Sequence, residues 1–90
     1  MKSLTPKEYT QCIGLVIKSE RVGHSNRSLR TQAELAEMVG INRSYLAGVE
    51  NGSRMPGLET LASITQALGM PMSELFKKAE LKAVSQQLVK

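Results

Sequence analysis

At 90 residues, with a formal net charge of +4, the chain has room for one small core over residues 1–90 and leans mildly toward anionic partners. Its 41% hydrophobic and 22% charged content is ordinary for a globular protein, with a core of aliphatic residues because the only aromatics are Tyr9, Tyr45 and Phe76. The single cysteine, Cys12, excludes an internal disulfide; no secretory leader is read, and no apolar run approaches the ~18 residues of a membrane span. A cytoplasmic protein is expected, with no membrane partner.

Tyr9, Cys12, Ile13, Val16 and Ile17 recur at helical spacing, which predicts an amphipathic helix over 7–21 with Thr5 as its N-cap and Pro6 in its first turn. Residues 23–28 are polar turn formers and read as a loop. Thr31-Gln32-Ala33-Glu34 has the form of a capping box. The helix it opens points Leu35, Ala36 and Val39 inward, and Gly40 is placed to end it in the left-handed conformation. Asn42 caps a helix over 43–50 with Leu46 and Val49 inward, and Asn51-Gly52 stops it. A fourth helix is predicted over 58–68, with Leu58, Leu61, Ile64, Thr65 and Leu68 on one face. Pro71 opens a fifth, carrying Met72, Leu75, Phe76 and Ala79. Leu81, Val84 and Leu88 continue the spacing as a helical extension over 78–90. Alternation with period two is missing throughout, so the fold class is all-α, a compact five-helix bundle.

Two helices of about eight residues joined by Gly40-Ile41-Asn42 are each too short to be stable alone. A tight turn that begins with glycine sets them at a steep angle, the helix-turn-helix arrangement, here over residues 31–50. The first helix of such a unit lies across the phosphate backbone. The second fits the ~12 Å major groove with its N-terminal side chains toward base edges.

The motifs Gln32-Ala33-Glu34-Leu35-Ala36, Gly40-Ile41-Asn42-Arg43-Ser44-Tyr45-Leu46, Val49-Glu50-Asn51-Gly52, Pro56-Gly57-Leu58-Glu59-Thr60-Leu61 and Ala67-Leu68-Gly69 follow one another in register. Together they resemble the phage-repressor-like, or XRE, helix-turn-helix family over roughly residues 13–76. Tyr45 to Glu50 is further similar to the controller proteins of restriction–modification systems. The resemblance implies a lambda-repressor-like fold and a transcriptional regulator of bacterial or phage origin. It also implies a partner, double-stranded DNA, bound as a homodimer on a near-palindromic operator.

Carried over by position, the resemblance places Arg43, Ser44 and Ala47 as base-reading residues on the outward face of the second helix. The fork of Arg43 suits guanine O6 and N7; holding a phosphate, or simple solvation, is the competing reading. Thr31, Gln32, Asn42, Tyr45, Asn51, Ser53 and Arg54 match positions that reach phosphates, with packing or solvation as the plainer alternative for Tyr45 and Arg54. Arg21 and Glu50 match a pair that is ion-bonded in some family members, and they are expected to meet. Gly48 departs from the long polar residue common at its position; close approach of DNA or of a neighbouring helix would account for it. The stretch between Arg21 and Gln32 is about four residues longer than usual, and its Arg27 and Arg30 either touch the DNA backbone or are solvated.

No metal, cofactor or small-molecule substrate is expected. There is no aspartate, the only histidine is His24 in a loop, and neither a phosphate-cradling glycine loop nor a metal-ligand spacing is present. An enzyme is therefore not expected. The alternative is a protein-interaction module, an antitoxin or coactivator-like adaptor on the same fold. Candidate dimer contacts are Met70, Met72, Leu81, Val84 and Leu88, while Leu68, Leu75 and Phe76 suit the chain's own core.

Overall fold

The computed structural model describes residues 4–89, with side chains through Ser85. Five α-helices follow in order: α1 (Pro6–Val22), α2 (Gln32–Val39), α3 (Arg43–Glu50), α4 (Leu58–Leu68) and α5 (Met72–Val89), with a 3-10 turn at Arg27–Leu29 and no strand among the described residues.

Local signals fix most helix ends. Thr5 and Glu8 form a reciprocal capping box, with Pro6 in the first turn of α1. Thr31 and Glu34 form a second box at the head of α2. Gly40 sits at φ 82° and closes α2, with its N–H on the Ala36 carbonyl at 2.8 Å. That left-handed residue turns the chain sharply, so α3 starts three residues later across α2.

The core is a single cluster in which Ile13, Ile17, Leu35, Leu46, Val49, Ile64 and Leu75 are fully buried. Each helix contributes to it, and α1 is the central strut, packed on α5 along one side and on α3 along the other. Truncating any one of these large side chains to alanine costs about 2–5 kcal/mol. Cys12 is buried in this cluster.

One expectation about apolar faces needs correction, and the structure adds two features to the others. Leu58 is 72% exposed, because it is the first residue of α4 and the inward stripe begins one turn later, at Leu61. Leu29, inside the polar loop, is buried at 3% exposure and pins the 3-10 turn to the core. Residues 78–89 are the second half of one unbroken helix, whose buried stripe is Leu75, Ala79 and Ala83. Leu81 and Val84 face outward from that stripe, at 60% and 48% exposure. The Leu88 side chain lies outside the described residues.

Candidate nucleic-acid interface

The outer face of α3 is built by exclusion. Leu46 and Val49 turn into the core, which leaves Arg43 and Ser44 exposed and Ala47 half-buried on the other side. Residues 42–57 contain one acidic residue, Glu50, and it is buried at 4% exposure. The exposed charges of this segment are therefore Arg43 and Arg54 alone, a positive surface around a helix of groove width.

Glu50 is held by a polar network that crosses three helices. Arg21 Nε donates to Glu50 Oε2 at 2.7 Å and Arg21 Nη2 to Glu50 Oε1 at 2.9 Å, a fork-on-fork pair. Gln32 Nε2 adds a third bond, to Glu50 Oε1 at 3.0 Å. The side chains are nearly dry, at 8% exposure for Arg21 and 2% for Glu50. The bond to Glu50 raises the Arg21 guanidinium above its ordinary value, against the opposing pull of burial. This pair fixes the last residue of α3 to α1, and Gln32 ties the first turn of α2 to the same carboxylate. One amide proton of Gln32 is committed to Glu50; its carbonyl oxygen and second proton remain for an outside partner.

The same guanidinium also donates, through Nη1, to the Arg30 carbonyl. Arg30 Nε donates to the His24 carbonyl at 2.6 Å. The His24 ring closes the loop: Nδ1 accepts from the Asn26 N–H and Nε2 lies 3.0 Å from the Leu68 carbonyl at the end of α4. Accepting at Nδ1 requires the proton on Nε2, which then donates to Leu68. The long loop is thus fastened at both ends. Arg30 belongs to this fastening, a role neither of the two sequence readings contained, while Arg27 is exposed.

Several polar side chains expected to face phosphates already have internal partners. The Thr31 hydroxyl bonds Glu34 in the capping box. Asn42 Oδ1 accepts from the Ser44 N–H at 2.8 Å and from the Ser44 hydroxyl at 2.7 Å, so Ser44 offers lone pairs outward and Asn42 offers its amide protons. Asn51 Oδ1 accepts from the Ser53 N–H, which shapes the turn after α3. The Arg54 guanidinium lies over the half-buried Tyr45 ring, 5.6 Å from its centroid.

Gly48 has a neighbour that the sequence did not indicate. It is buried not against another helix but under the loop that follows α3, beside the Ser53 hydroxyl and the Arg54 stem. A side chain at 48 would have to displace the Arg54 stem and the Ser53 hydroxyl. Gly14 is the functional residue sequence reasoning passed over. A Cβ there would overlap the Val49 carbonyl oxygen and stand 2.7 Å from that of Glu50. This glycine lets the backbone of α1 lie directly against the end of α3. The available signal was a lone glycine inside an otherwise regular helix.

The helix-turn-helix family profile matches residues 19–75, which takes in the whole unit described above. The chain belongs to the XRE-type helix-turn-helix family. It is 31% identical to the ImmF control region 10 kDa protein of Bacillus phage phi105, over 82% of this chain and 77% of that protein. It is 33% identical to the control protein C.MunI of Mycoplasma sp, over 67% of this chain and 89% of that one. The crystal structure of the clp gene regulator ClgR from C. glutamicum superposes with a TM-score of 0.70 and 28% identity, covering 88% of this chain and 95% of ClgR. The XRE-type family is one of regulatory DNA-binding proteins rather than an enzyme class. Among the described residues, no helix is long and apolar enough to cross a membrane.

Proposed function

We propose that the chain is a transcriptional regulator that binds a near-palindromic operator as a homodimer, each subunit laying α3 in the major groove. The observation that carries this reading is the outer face of α3. It presents Arg43, Ser44 and Ala47 in a segment, residues 42–57, whose one acidic residue is buried, while Arg21 and Gln32 hold the helix from behind through Glu50.

Arg43 reads a guanine edge in this scheme, and the small Ala47 lets the helix lie close to the base pairs. Gln32 and the N–H groups heading α2 grip one phosphate, with Thr31 at the same helix end. Asn42, Tyr45, Asn51, Ser53 and Arg54 line the other flank. Two copies, with recognition helices ~34 Å apart, supply the specificity that one motif lacks. Leu81 and Val84, exposed on α5, are the favoured contact between copies, with Leu88 on the same spacing. Met70 and Met72 are half-buried against the core and offer a partner less. The relatives named as a phage control-region protein and as a control protein, and the structural likeness to a gene regulator, support regulation as the outcome of binding. The whole of 1–90 acts as one domain, in the cytoplasm of a bacterium.

Selection from a random duplex library tests this. Enrichment of a two-fold symmetric site with half-sites one helical turn apart is expected, with affinity falling steeply as salt rises. Failure to bind any duplex at ~50 mM salt overturns the proposal, and favours a protein partner on the same fold.

A further inference from the structure

Arg54 follows the recognition helix, yet both of its ends are tied back to it. Its N–H and that of Ser53 donate to the Gly48 carbonyl, at 3.1 and 3.0 Å. Its guanidinium carbon stands 5.6 Å from the centre of the Tyr45 ring. Between these anchors the stem crosses Gly48, where an added Cβ would meet Arg54 Cγ at 3.0 Å, Cδ at 3.3 Å and the Ser53 hydroxyl at 3.3 Å. Tyr45 and Gly48 are three residues apart and so share one face of α3.

Glycine is a poor helix former, and this one stands inside a helix of 8 residues. What the helix gains in return is a clear track for the Arg54 stem. A free arginine loses its side-chain freedom when it grips a phosphate, and that loss weakens binding. An arginine already laid along a track and capped by an aromatic face has lost much of it beforehand.

We infer that Gly48 and Tyr45 form a seat that orders Arg54 in advance for a phosphate of the bound duplex. The inference rests on the DNA-binding reading and adds to it two positioning residues and a reason for the glycine. The Tyr45 ring is the platform; its hydroxyl is not required for the seat.

A double-mutant cycle in the full chain tests it, read as fluorescence anisotropy on the selected duplex across a salt series. Arg54→Ala makes the log–log salt slope shallower by about 0.9, one phosphate's share. Gly48→Ala and Tyr45→Leu each weaken binding about 3- to 10-fold through lost pre-ordering. In the Arg54→Ala background both losses disappear. Tyr45→Phe keeps its coupling to Arg54. Tyr45→Leu carries the test if Gly48→Ala fails to fold. Equal losses with and without Arg54 overturn the inference. So does an Arg54→Ala chain with an unchanged salt slope, an outcome that leaves the DNA-binding reading standing. A wild-type chain that binds no duplex removes that reading itself.

Discussion

The two sides of α1 are held by different physics. Toward α5 the contact is apolar at its centre, with Ala79 and Ala83 buried, and its polar links lie at the rim. Tyr9 donates to Glu80 at 2.6 Å beside an edge-to-face contact with Phe76, and Lys78 pairs with Glu20 at 2.9 Å in partial exposure. Toward α3 the polar groups are inside. Arg21 and Glu50 are nearly dry, Gln32 joins them, and Gly14 brings the helices into backbone contact. A rim pair in water contributes little. A desolvated, multiply bonded pair is costly to break and tolerates one geometry. The α5 side therefore supplies stability by burial, and the α3 side fixes the pose of the helix proposed to face DNA.

Breaking the buried pair should have the largest effect. Glu50→Ala leaves the Arg21 charge stranded, and chemical denaturation should show a loss of about 3–5 kcal/mol. Gly14→Ala follows. The new methyl meets the carbonyl oxygens of Val49 and Glu50, which are backbone and cannot rotate away. An overpacking loss of about 1–3 kcal/mol is expected, together with a drop in DNA affinity because α3 is displaced. Lys78→Ala removes only the rim pair and should change stability by less than about 1 kcal/mol.

The smallest effect is a titration. The Glu80 carboxylate, first by its hydrogen bond to the phenol, raises Tyr9 above its ordinary value of 10.0. Folding thus favours the protonated phenol. The contribution is complete below the ordinary value and is lost as pH rises through the raised one. Ultraviolet titration should find Tyr9 ionising above its ordinary 10.0, and Glu80→Gln should bring it back down.

Much of this arrangement was legible in the sequence because short-range chemistry wrote it. Thr5 and Thr31 as caps, Gly40 as the left-handed stop and Asn42 as the next cap are signals complete within a few residues. The meeting of Arg21 and Glu50 was legible only through the family resemblance, since nothing local links residues 29 apart. What stayed hidden depends on tertiary neighbours. Leu29 is a lone apolar residue without a period, so its burial had no local signal. On α5 the helical spacing marked Leu75 and Ala79 but not the buried Ala83. The close packing of α1 selects the small Ala79 and Ala83, and the larger Leu81 and Val84 turn to solvent. The neighbour of Gly48 is a loop that folds back, and the fastening of His24 to Leu68 spans 44 positions.

The central claim is that α3, held from behind, reads bases through Arg43. It is tested most directly by comparing wild type and Arg43→Ala on the selected duplex and on copies with each guanine pair of the half-site replaced. Wild type should prefer the selected duplex over one such copy by about 1–3 kcal/mol, and Arg43→Ala should lose that preference at that position alone. An Arg43→Ala chain that weakens on every duplex equally and keeps the full preference would contradict the account.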